Sequence, residues 1–223
     1  MKTCFSATLL FLITLVAYGQ EESTPSGIGS GNTKWKVGAG IYTGYNALTG
    51  DLLHYFNNNV PFGLSAQVQY GIVVFDFNGS IAFSHLANDI YYDGGVWESD
   101  SWVSTHYFNF ALGLNIGDPR SVSLTPFAGI GVTSFVRTQL FKDEDYEPGD
   151  GELGDTFTYS FGMNMDIFLT AGKSSGEGNT KGQMSTYLRL GYAYSSPQFE
   201  KKYDDFGGRM HFFTIGIFLL GNL

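Results

Sequence analysis

Apolar and polar residues alternate with period two along most of the chain. Two segments show it best, Trp102 to Ile116 and Val122 to Val136. In the first, Trp102, Phe108, Phe110, Leu112, Leu114 and Ile116 share one side with Ser104 and His106, and Thr105, Asn109, Gly113 and Asn115 share the other. In the second, Val122, Leu124, Ala128, Ile130 and Val132 oppose Ser123, Thr125, Gly129, Gly131 and Thr133. Period two over some fifteen residues is a strand signal, and the link Gly117 to Ser121, with Asp118-Pro119 inside it, is a turn signal. The pair predicts a long β-hairpin.

The same pattern recurs from Lys34, from Phe62 to Ile72, from Phe157 to Leu169, from Met184 to Tyr194 and from Phe213 to Leu219. Asn78-Gly79 is a turn signal. It predicts a tight turn near Phe75 to Asn78, followed by a strand from Gly79 to Leu86. The count is eight strands. Longer connections at Asn46–Asn59, Asn88–Asp100, Arg137–Asp155 and Ser196–Gly208 alternate with mostly shorter ones, as an up-and-down meander with long loops at one end requires. The exception is the 13-residue link Ala171–Gln183. The fold expected is all-β, an eight-stranded antiparallel up-and-down barrel.

Charge placement decides which face points outward. Within the predicted strand centres the charges are Lys36, Asp166 and Arg189, and all three share a face with glycine, serine and asparagine. A soluble barrel, the alternative reading, carries its charges outside. Arginine against lipid near mid-bilayer costs about 2–4 kcal/mol, so the polar face is the lumen and the barrel is a transmembrane one. Expected lumen residues are therefore Lys36, Gln67, Gln69, Asn109, Asn115 and Asn164, with Asp166 and Arg189 as an ion pair. The glycines on that face leave room for Tyr42, Phe127, Tyr187 and Arg189. Trp35, Tyr45, Trp102, Phe108, Tyr159, Tyr192, Tyr194 and Phe213 fall toward strand ends on the outer face, as interfacial aromatics do.

The N-terminus fits export. Residues 1–19 carry Lys2, the apolar run Ala7 to Ala17 and small residues at Ala17 and Gly19, the pattern of a signal peptide. Residues 20–33 read as a flexible periplasmic leader, and 34–223 as the barrel. The single cysteine, Cys4, lies in the signal, so the mature chain needs neither disulfides nor thiolate metal ligands. Loss of Lys2 takes the formal net charge from −9 to −10, which argues against nucleic acid as a partner. Aromatic residues make up 17% of the chain beside 30 glycines, an unusual pairing for a soluble enzyme.

The stretch from Leu124 to Val132, Leu-Thr-Pro-Phe-Ala-Gly-Ile-Gly-Val, together with the eight-strand pattern from Lys34 onward, resembles the small outer-membrane barrels of Gram-negative bacteria, of the outer-membrane protein A membrane-domain and outer-membrane protein X type. The resemblance implies an outer-membrane location, both termini in the periplasm, short periplasmic turns and long external loops. The chain departs from the pattern at its end, Leu219-Leu220-Gly221-Asn222-Leu223, where the family has an aromatic residue. Phe218 is the aromatic available as the assembly signal.

Candidate chemistry is sparse. Asp143, Glu144, Asp145, Glu147, Asp150, Glu152 and Asp155 make one external loop acidic. With Pro148 and Gly154 where an EF-hand needs glycine and glutamate, it is no calcium loop of that kind, and no metal site or cofactor is expected. Tyr91, Tyr92, Trp97, Tyr146 and Phe199 are expected to be exposed on the loops. His85, His106 and His211, with Ser84, Ser104, Asp89 and Asp205 nearby, raise a lipid-modifying deacylase or acyltransferase as the alternative. Their parity directs them toward lipid headgroups rather than into one cleft. The expectation is a monomeric, non-enzymatic barrel with a structural or surface-interaction role. Its lumen is filled and it is not a general porin. Its partners are outer-membrane lipids, lipopolysaccharide and an extracellular ligand of the loops.

Overall fold

The structure, a computed structural model, describes residues 35–92, 95–137, 152–173, 183–198 and 207–222. The signal and leader, and most of the acidic loop, including Asp143, Glu144, Asp145, Glu147 and Asp150, lie outside the described residues, as do Tyr146 and Phe199. Among the described residues eight long strands are Trp35–Gly50 (β1), Val60–Tyr70 (β2), Val73–His85 (β3), Trp102–Leu114 (β4), Val122–Arg137 (β5), Glu152–Lys173 (β6), Gln183–Gln198 (β7) and Gly208–Asn222 (β8). Each pairs antiparallel with its sequence neighbours, and β1 pairs with β8 from Lys36↔Asn222 to Gly50↔Gly208, so the sheet closes. Closure gives each of the eight long strands a partner on both sides.

The outside is apolar. Ile41, Phe62, Phe77, Phe108, Leu112, Ile130, Phe161, Leu169 and Ile215 are all exposed. The inside holds Gln67, Gln69, Asp76, Asn109, Asn164, Asp166 and Arg189, each buried. An apolar belt outside and polar side chains within is the reverse of a soluble protein. It satisfies every requirement of a strand-built membrane crossing. The fold is a transmembrane β-barrel.

Three sequence expectations are corrected. The turn expected near Phe75 to Asn78 lies at Gly71 and Ile72, where Gly71 takes φ 59°, a conformation glycine adopts without strain. Strand β3 therefore starts at Val73, and Asp76 and Asn78 become lumen residues opposite Gln67 and Ser65. The Asn78-Gly79 signal is overridden because period two continues through it: Phe75, Phe77 and Phe83 are exposed outside, whereas Val74, Asp76 and Ala82 are buried inside.

The strands also run past their predicted ends. Strand β1 continues to Gly50 through the expected loop, β6 starts at Glu152 within the expected acidic loop, and β6 and β7 pair as far as Lys173 and Gln183, shortening the expected 13-residue link. A one-residue bulge at Leu169 shifts the β6–β7 register between Thr186 and Tyr187. Beyond the belt neither face is lipid-facing, so alternation fades there while backbone pairing continues.

The expected irregular loops at the other end are folded. A short helix, Asp51–Tyr55 (α1), and a small hairpin, Ile90–Tyr92 against Gly95–Trp97, lie over the barrel mouth. Leu52, Phe56, Leu86, Ile90 and Trp97 from these connections pack on Leu48, Val103, Tyr107, Phe135, Met210 and Phe212 from the strands. Phe56 stacks on Phe135 at 4.7 Å between ring centroids. A backbone bond from Ala87 to Tyr55 (2.8 Å) ties the two connections together, and one from Leu86 to Ser101 (3.0 Å) joins the two ends of the second. Trp97, expected to be exposed, is 1% exposed and forms the centre of this cap.

Candidate functional site

Arg189 organises the middle of the lumen. Strand register sets it opposite Asp166. Its Nε donates to Asp166 Oδ1 at 2.6 Å and its Nη2 to Asp166 Oδ2 at 2.8 Å, a two-pronged contact that fixes the guanidinium plane. Nη2 also donates to Gln67 Oε1 at 2.8 Å. Asp76 Oδ2 lies 3.7 Å from Nη1 and accepts a bond from Asn164 Nδ2 at 3.3 Å. The Phe218 ring supports the guanidinium from one face at 3.7 Å, a cation–π contact. One cation thus meets two carboxylates, an amide and an aromatic ring, each from a different strand.

Glycines make this layer possible. A Cβ at Gly38 or Gly40 would sit 2.6 Å or 2.7 Å from the Phe218 ring. Phe218 is 1% exposed. Its ring is turned into the lumen against Arg189.

The other expected lumen residues are distributed along the axis. Asn109 Oδ1 accepts from Ser160 Oγ at 2.8 Å, on the cap side of Arg189. Toward the opposite end Asn115 Nδ2 donates to Ser123 Oγ (3.3 Å) and Thr125 Oγ1 (3.2 Å), and Gln69 Nε2 to the Gly71 carbonyl (2.7 Å). Lys36 is half-buried, in register between Gln69 and Asn222. Between the Arg189 layer and the cap is a cavity of about 50 Å³, lined by Tyr42, Asn78, Tyr107, Asn109, Asn164 and Phe212 among others. A cavity of that size has room for a few waters.

Sequence reasoning missed Asp76, because a turn was placed over it. The signal that finds it is the unbroken alternation from Val73 to His85. It also missed the cap, for which period two offers no sign.

The loop-end histidines face outward on separate strands. His85 Nδ1 lies 3.0 Å from the Asp100 carbonyl, with its ring 3.9 Å from that of Trp102. His211 Nδ1 lies 3.0 Å from the Tyr192 hydroxyl. His106 Nε2 lies 3.1 Å from Ser104 Oγ. Ser134, opposite His106 in register, donates to Asp155. Glu152 begins β6 in the same region. Among the described residues no group of three or more His, Cys, Asp or Glu is placed to hold a metal ion.

Eight strands, a meander closed by its first and last members, and an outward apolar belt are now established. The architecture is an eight-stranded up-and-down transmembrane barrel. Solved structures similar to the chain include Neisserial surface protein A (8% identity, 83% of this chain and 96% of that one, TM-score 0.48). Ail, the attachment invasion locus protein of Yersinia pestis, solved with the heparin analogue sucrose octasulfate, shares 13% identity over 83% and 97% (TM-score 0.40). The N-terminal β-barrel domain of Pseudomonas aeruginosa OprF shares 8% over 84% and 97% (TM-score 0.39). Likeness at this level carries nothing about role. No protein-family model matches the chain, and none of the curated proteins compared with it matches either.

Proposed function

We propose that the protein is a monomeric integral barrel of a Gram-negative outer membrane, with both termini in the periplasm and a structural or surface-interaction role exercised at its loop end. The reading is supported by the combination of an apolar exterior with an interior occupied by the Arg189 layer and, at the loop end, by the Trp97 cap. A barrel filled in this way has no passage to offer, so it is not a general porin. What it presents to the outside is the capped surface. There Tyr91 is 78% exposed on a hairpin whose base, Ile90 and Trp97, is anchored in the cap. A fixed, aromatic-bearing hairpin suits an extracellular ligand better than a mobile loop does, since less ordering is needed on binding. The surrounding outer-leaflet lipid, including lipopolysaccharide, is the other partner of the belt.

The test is where the chain resides and how it is oriented. Density fractionation of cells expressing it should place it with outer membrane, and a C-terminal tag should resist protease until the outer membrane is opened. Recovery in the soluble periplasmic fraction would end the proposal. Binding through the loop end is read by comparing capture of ligand by the intact protein with that by a form lacking the 90–97 hairpin.

A further inference from the structure

We propose that the outer face of β8, with β1 and β7 on either side, seats one lipopolysaccharide molecule through a phosphate held by Arg209. The inference rests on the outer-membrane reading above, which puts the loop end in the outer leaflet, and it names one place on the belt where a lipid is held. Alternation sends Arg209, His211 and Phe213 to the outside of β8, while Met210 and Phe212 enter the cap. Arg209 is exposed, and among the described residues no carboxylate pairs with it. It is also the one lysine or arginine among them on the outer face of the loop end. Arg137, at the end of β5, alternates with Phe135 onto the opposite face, in register with the buried Val103.

The surface below Arg209 is graded in polarity. Thr49 stands beside Arg209 in register; one step down, His211 lies between Ala47 and Tyr194; one step further, Phe213 lies between Tyr45 and Tyr192. Tyr45, Tyr192 and Phe213 are exposed, and Ile215 continues the face into the apolar belt. Aromatic residues at such a level are interfacial anchors. The Tyr192 hydroxyl and His211 Nδ1 are 3.0 Å apart, so two groups able to hydrogen-bond a sugar sit together between the cation and the belt. Beside Arg209 the rim opens into a cleft of about 490 Å³ bounded by Gly50, Ser196, Gln198 and Gly208, and also by Asp51, whose carboxylate accepts from the Gly207 N–H at 2.9 Å. A glycolipid standing against this strip sets acyl chains on Ile215 and Phe213, sugar at His211 and Tyr192, and phosphate at Arg209.

Charge selects the place. The planar fork of a guanidinium matches two phosphate oxygens, and the contact gains strength beside a low-dielectric belt. Elsewhere the rim is unfavourable to an anion: Asp155 is exposed on β6, and the chain as a whole carries a formal net charge of −9. A phosphate is therefore directed to the one free cation. Width selects the lipid. The strip spans three strands, about 10 Å between the outer two, which suits a phosphorylated disaccharide with several acyl chains better than a two-chain phospholipid.

The full-length chain in detergent micelles, titrated with bisphosphorylated lipid A and read by native mass spectrometry, should retain one lipid per chain. Arg209→Gln should weaken retention roughly tenfold or more, as loss of a charge-assisted contact does, with thermal melting unchanged because the side chain is exposed and unpaired. Arg209→Lys should restore part of it, and Arg120→Gln, in the turn at the opposite end, should leave it intact. Lipid A stripped of both phosphates should bind the unaltered protein no better than intact lipid A binds Arg209→Gln, a comparison that holds even if that variant is measured only against the stripped lipid. Equal retention by Arg209→Gln, equal retention of the stripped lipid, an equal loss on Arg120→Gln, or displacement by equimolar phosphatidylglycerol would each overturn the seat. None of these outcomes touches the outer-membrane reading, which the fractionation decides separately.

Discussion

Halfway along the barrel the lumen is filled by Arg189, Asp166, Asp76 and Gln67. At the loop end it is filled by Trp97, Phe56, Phe135 and Met210. The first filling is charged, comes wholly from strands and is held by directional bonds whose partners are set by register. The second is apolar, half of it comes from connections, and burial rather than charge pairing is its main support. The contrast teaches that the interior of a narrow barrel can be occupied by two unrelated means. Charges inside it are tolerated only when paired, because each unpaired ion buried there costs several kcal/mol. Apolar residues need no partners, so loops of irregular path can supply them.

The largest effect should follow from breaking the charged layer. Arg189→Leu leaves Asp166 and Asp76 buried without their cation, and should lower the stability of the whole barrel by about 3–5 kcal/mol, read from urea titration in lipid vesicles. Unchanged stability would mean that the layer does not brace the barrel. Trp97→Ala should remove about 3 kcal/mol or more from the cap. Because the connections that supply half of the cap lie outside the barrel's strand ladder, the loss should appear as protease cleavage in residues 51–59 and 86–101, while the barrel's unfolding midpoint moves far less. Equal loss in both would make cap and barrel one cooperative unit. Gly40→Ala places a methyl group against the Phe218 ring, and should cost about 1–3 kcal/mol as overpacking. It should also shift the Phe218 ring resonances.

The smallest effect is at Asp89. The backbone N–H of Ser99 donates to its carboxylate at 2.7 Å, and that bond, ahead of other contacts, holds the carboxyl below its ordinary value. A depressed carboxyl stabilises the fold above its unfolded value and loses that contribution as pH falls through the folded one. Protease sensitivity of the hairpin should therefore rise only below the usual carboxylate range. Asp89→Asn should remove that dependence.

The barrel was legible in the sequence because a closed sheet with one lipid face and one lumen face imposes period two on every strand. That is why Arg189 and Asp166 could be set on the lumen face before any coordinates, and why the oily side could be turned outward. The pattern is silent where neither face meets lipid, so Leu48, Met210 and Trp97 read as ends of strands or parts of loops. It misleads where a local signal competes with it. Asn78-Gly79 reads as a turn in isolation, yet a lumen-facing asparagine followed by a small outward glycine satisfies the alternation equally well, and the placement of Asp76 depends on which is followed.

Closure of the lumen is the central claim, and conductance in a planar bilayer tests it most directly. The unaltered protein should show no steady conductance, and neither Arg189→Leu nor Trp97→Ala should open it while the other closure stands. The double variant should conduct. Steady conductance of the unaltered protein would contradict the account.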